Sequence, residues 1–89
     1  MSQIINDEEL KNVNGGYETF SEYEAYLNHA TNSMYKNDKG NWIYGDDLPI
    51  NTKLKVRGSD YIWGTKYLEV LPESKTNWVF VAETFVSKK

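Results

Sequence analysis

The chain holds a single histidine, His29, and no cysteine. A thiolate nucleophile, a disulfide framework and a Cys-based zinc site are therefore excluded, and one imidazole alone points to neither a catalytic triad nor a common transition-metal site. Asp46 and Asp47 set two carboxylates side by side, as a hard cation such as calcium would want. The spaced acidic ligands of a calcium loop do not follow them, so they read as turn residues. Glu69 and Glu83 are a conceivable carboxylate pair for glycoside chemistry. Nothing around them adds to their presence, and isolated strand carboxylates are expected to face solvent. No enzyme, cofactor or metal is expected.

The chemistry that remains is aromatic. Seven Tyr, three Trp and three Phe all lie after Gly16. Each large ring buries on the order of 150–250 Å², which is how a small chain without disulfides finds enough apolar burial. Rings such as Trp42, Trp63 and Trp78 are expected to build much of the core. Tyr44, Tyr61, Trp63 and Tyr67 form the candidate binding patch, suited to a sugar polymer, a peptide or a receptor if they share a sheet face.

The elements that would carry these residues differ between the two halves of the chain. TFSE and SEYE, within Thr19–Glu24, both fit a capping box, and Tyr23, Leu27, Ala30 and Met34 recur at helical spacing. They predict a helix over about 20–36, ended by the turn residues NDKG. Beyond it the pattern is of strands. NWIYG is short and aromatic, and INTKLKVR alternates apolar with basic residues. YIWGTKYLEVL reads as one long strand with Gly64 as a bulge or bend, and WVFVAETFV as a closing strand. The predicted class is α+β: one N-terminal helix, then a four- to five-stranded antiparallel sheet curled into a small barrel.

Eighty-nine residues make one domain. Of the net charge of −3, two units come from Asp7, Glu8 and Glu9 against Lys11, leaving the body almost neutral. That weighs against nucleic acid, which calls for a basic stripe, and against a strongly cationic membrane-active peptide. No run of about 18 apolar residues is present, so no membrane span is expected, and an ordinary secretory signal is missing.

The segment ahead of Tyr17 stands apart. IINDEELKNVNGG is acidic and free of aromatics, and its apolar residues make at most a marginal helix before Gly15-Gly16. In spacing it resembles the double-glycine leader of bacteriocins and related bacterial exported peptides. Val13 lies two before the glycine pair, Leu10 five before it with Glu9 just ahead, and Ile5 further upstream. The resemblance implies that a papain-like peptidase domain of an ABC exporter reads Ile5, Glu9, Leu10 and Val13 as a helix in a groove. It also implies cleavage after Gly16, the two glycines threading an active-site channel that a Cβ would block. Residues 1–16 are then a flexible or marginally helical leader and 17–89 the single folded domain. The precursor would be cytoplasmic and the product secreted. Within the body, LPINTKLKV, WGTKYLEV and NWVFVAETFV resemble the strand order of bacterial Src-homology-3-like barrels, which often bind cell-wall peptide. The interval from Trp78 to Phe85 is longer than that family's, so the resemblance supports a small barrel more than a ligand.

The expected function is a bacteriocin-like or signalling effector that binds an extracellular protein or cell-surface target. The alternatives are a secreted cell-wall or surface-binding module without toxic activity and a precursor of a modified peptide. A third is an intracellular domain that packs an uncleaved first helix through Ile5, Leu10 and Val13.

Overall fold

The computed structural model describes residues 17–89. The sequence expectations for Ile5, Glu9, Leu10, Val13, Gly15 and Gly16 fall outside these residues. Seven strands follow one another: β1 (Glu18–Leu27), β2 (Thr31–Lys36), β3 (Trp42–Leu48), β4 (Lys53–Ile62), β5 (Thr65–Pro72), β6 (Val79–Ala82) and β7 (Val86–Lys88). A single 3₁₀ turn, Glu83–Phe85, joins the last two. All pairings are antiparallel, in the order β3-β2-β6-β5-β4-β1-β7.

The predicted helix over about 20–36 is not formed, and among the described residues there is no α-helix. Its residues make β1, a reversal at Asn28–Ala30, and β2. Tyr23, Leu27, Ala30 and Met34 suit a helix, but Tyr23, Ala25 and Leu27 also alternate, and the sheet uses that second period. Tyr23 lies opposite Val56 and Ala25 opposite Leu54, which gives the backbone of β4 a partner along an edge that a helix would leave bare. Ala25 and Leu27 are fully buried, whereas Ala30, which the helical period would face inward, is exposed. The α+β class is thus replaced by an almost all-antiparallel sheet.

The small barrel is corrected as well. The residues assigned to the helix supply two extra strands, so the sheet has seven members where four or five were expected. The β2–β3 hairpin joins at the β6 side and does not return to β7, leaving the sheet open with β3 and β7 as its edges. The expected long strand from Tyr61 to Leu71 is a hairpin. Trp63 (φ +53°) and Gly64 (φ +83°) are both left-handed, the pattern of a two-residue turn that matches strand twist, and Ile62 pairs with Thr65 across it. NDKG does turn the chain, though between strands: Asn37 Oδ1 accepts the amides of Lys39 and Asn41, each at 2.9 Å.

The core is aliphatic. Ala25, Leu27, Leu48, Leu54, Val56, Leu68, Val70 and Val81 form one buried cluster, with Tyr23, Val79, Phe85 and Val86 packed against it. Trp42 and Trp78 are half-buried outside this cluster, on Phe80 and Arg57, and Trp63 is 70% exposed, so the indoles do not build the centre. Register explains the cluster. Ala25 faces Leu54, Val56 faces Val70, Val70 faces Val79, and Leu68 faces Val81, so cross-strand pairs extend one apolar face over four strands.

Candidate functional site

Strand alternation that sends Leu68 and Val70 into the core turns Glu69 to the other face of β5. It is nonetheless only 7% exposed, contrary to the solvent-facing role expected of it. Arg57 covers it. Between Val56↔Val70 and Gly58↔Glu69 the β4–β5 register slips by one residue, and Arg57 is the extra one. From that bulge its guanidinium forks onto the carboxylate, Nε to Oε1 at 3.0 Å and Nη2 to Oε2 at 3.0 Å. The same guanidinium lies 4.0 Å from the ring centroid of Trp78. The Tyr17 hydroxyl donates to Oε1 of Glu69.

Burial acts to raise the Glu69 pKa, but the hydrogen bonds from Arg57 and Tyr17, with the Arg57 charge, outweigh it and hold the carboxyl below its ordinary value. Tyr17 is shifted the other way, first by burial and then by its bond to Glu69 and that carboxylate's charge. The two pKa values are driven apart with the proton on Tyr17. Both shifts favour a fixed hydrogen bond from the Tyr17 hydroxyl to the carboxylate.

Beside this cluster opens a cleft of about 720 Å³, within the size range of small-ligand sites. Arg57, Glu69 and Trp78 line one part of it, and Ser33, Tyr35 and Asp46 another. Ser33, 2% exposed, donates its hydroxyl to the Asp46 carbonyl at 3.1 Å. Lys75, in the loop before β6, reaches the Asp46 carboxylate at 3.1 Å. The cleft therefore joins the β2–β3 hairpin to the β5–β6 loop. It offers aromatic faces from Tyr35 and Trp78 among paired charges of both signs, a lining for a polar, uncharged or mixed-charge ligand.

The candidate patch residues do not gather at this cleft. Tyr61, Trp63 and Tyr67 belong to the β4–β5 hairpin, where Tyr61 is 49% exposed and Tyr67 is half-buried opposite Asp60. Tyr44, 63% exposed, sits on the edge strand β3, with β2 and β6 between it and β5. His29 stacks on Phe85 with centroids 4.9 Å apart, and its Nδ1 lies 2.7 Å from the Ala30 carbonyl. Asp47 accepts from the Asn32 amide. Glu83 pairs with Lys66 at 3.5 Å, engaged apart from Glu69. No group of three or more His, Cys, Asp or Glu close enough for a metal occurs among the described residues, and no helix there is long and apolar enough to cross a membrane.

Sequence reasoning passed over Tyr17, Arg57 and Lys75. The one signal for Arg57 was its place at the end of INTKLKVR, just before Gly58, where a bulge breaks the alternation. Comparison of the chain with protein-family models, with curated proteins and with solved structures finds no match.

Proposed function

We propose that this chain is the precursor of an exported binding protein. Residues 1–16 act as a double-glycine leader, the peptidase domain of an ABC exporter cuts after Gly16, and the domain 17–89 takes a target outside the producing cell. The observation that carries the reading is a coincidence of register. The leader-spaced residues Ile5, Glu9, Leu10 and Val13 end on Gly15-Gly16, and the first strand of the sheet begins at Glu18.

The test is intact mass after the full chain meets a double-glycine peptidase domain, beside a Gly15→Ala, Gly16→Ala double variant. Removal of residues 1–16 from the native sequence alone supports the leader. Persistence of the full mass under conditions that also unfold the domain rejects it.

Two forms of the exported function differ in outcome for neighbouring cells. A bacteriocin-like or signalling effector changes their growth, whereas a surface-binding module leaves it unaltered. The cleft with its stacked Arg57 and Trp78 favours binding as the shared step. Arg57→Ala and Trp78→Ala should each weaken attachment of fluorescently labelled protein to target cells by about tenfold, the scale of a truncated aromatic or arginine anchor. Unchanged attachment by both folded variants would remove the cleft from the proposal.

A further inference from the structure

Tyr17 is the residue on the far side of the bond that the leader reading would cut, and although 43% exposed it is held at its hydroxyl and by one ring contact. Its hydroxyl donates to a carboxylate that Arg57 already grips from two sides. Its ring meets Phe80 edge-on, with centroids 6.4 Å apart. Gly58 makes the seat. A Cβ there would stand 2.5 Å from the Glu18 carbonyl and 3.3 Å from the Tyr17 ring, so any other residue would push the start of β1 away. The next two residues are already paired, Glu18 with Ser59 and Thr19 with Gly58.

The leader reading implies a peptidase that takes the chain on both sides of the cleaved bond as an extended strand in its own channel. The backbone of Tyr17–Thr19 cannot lie there and remain against β4. We infer that the Tyr17 seat is a latch: in the folded precursor it shields the Gly16–Tyr17 bond from the exporter's peptidase until the start of β1 is released. This inference rests on the leader reading and adds its regulation.

The geometry also shows how the latch would open. Residues Glu18 to Glu22 are all exposed, and the β1–β4 ladder is interrupted between Thr19 and Tyr23. Peeling Tyr17–Glu22 breaks the seat and two register pairs, while Tyr23, Ala25 and Leu27 keep theirs in the core. Opening is thus a local event, separate from global unfolding. A chain cut before folding pays no such barrier, so the latch favours processing ahead of folding.

The test compares cleavage rates of four full-length precursors by the same peptidase domain: native, Gly58→Ala, Glu69→Ala and Leu27→Ala. Gly58 and Glu69 lie outside the leader and the residues flanking the cut, so these variants alter the seat and leave the peptidase's substrate unchanged. Leu27→Ala, at a fully buried position, raises the unfolded population as a whole. The expected result is slow cleavage of the native protein and rates about five- to tenfold higher for Gly58→Ala and Glu69→Ala, the scale of one lost hydrogen bond. Leu27→Ala should be cut more slowly than either seat variant, because local opening leaves its packing in place. Thermal unfolding of each variant separates seat opening from global destabilisation: the two seat variants must be cut faster than their loss of global stability alone predicts. Equal rates for all four, with residues 1–16 removed each time, overturn the latch and leave the leader standing. No cleavage of any of them, Leu27→Ala included, overturns the leader and the latch with it.

Discussion

Glu69 is a charged residue in the middle of a strand, flanked by the core residues Leu68 and Val70. It is tolerated there because Arg57 and Tyr17 supply donors to both its oxygens. Its pKa is held below the unfolded value, so the stability it contributes is present above about pH 4.5 and is lost as the pH falls through the folded value. Tyr17 and Tyr23, both raised chiefly by burial, act at the other end. Their contribution is present below pH 10.0 and is lost as the pH rises through their folded values. Thermal midpoints measured across pH should therefore fall on both limbs. Glu69→Ala should flatten the acid limb and Tyr17→Phe the alkaline one. Trp63 is the opposite case, an exposed indole at φ +53° that gains little burial for its strain. Trp63→Asn places a residue at ease in the left-handed region ahead of Gly64 and should stabilise the domain by about 1 kcal/mol in urea denaturation. Stabilisation accompanied by loss of target binding would mark Trp63 as a contact kept at the expense of stability.

At the level of elements, the sheet's weak points are its ends. The edge strand β7 has three residues, and the β2–β3 hairpin is joined to β6 through a single register pair, Met34↔Phe80. In contrast, β4 and β5 share eight pairs, and β4 also pairs with β1 along its other side. Native-state hydrogen exchange should find the slowest amides in β4 and β5 and the fastest among the strands in β3 and β7. A closed barrel would protect its first and last strands alike. The alternation of INTKLKVR and the turn chemistry of NDKG were readable because each is local. The stretch from Phe20 to Lys36 was not, since its apolar residues satisfy the helical and strand periods together. What decides between them is the unpaired edge of β4, more than thirty residues along the chain from Phe20.

Residues 17–89 taken together form an elongated body, with extents of 46 × 29 × 22 Å and a radius of gyration of 14.0 Å. Its aliphatic cluster is small, so each member matters. Leu27→Ala should cost about 3 kcal/mol, a large share of the roughly 5–15 kcal/mol that holds such a domain together. Calorimetry should show this as a lower midpoint with the transition still cooperative. The charged and aromatic residues of the cleft lie apart from that cluster. Trp78→Ala should therefore alter target attachment more than it alters the midpoint, Arg57→Ala should lower both because it strips buried Glu69 of its forked partner, and Leu27→Ala should act on the midpoint.

By itself the sequence determined what depends on near neighbours or on composition. The leader-like spacing before Gly15-Gly16, the absence of thiol chemistry, the near-neutral body and most strand segments after Asn41 are properties of that kind. Tertiary structure alone decided that residues 20–36 are strands, that the sheet stays open, and that Tyr17, Arg57, Glu69 and Trp78 meet. Tyr17 and Glu69 are 52 residues apart in the chain. No periodicity spans such an interval, and only the register of β1 on β4 and of β4 on β5, with the Arg57 bulge between them, brings their side chains together.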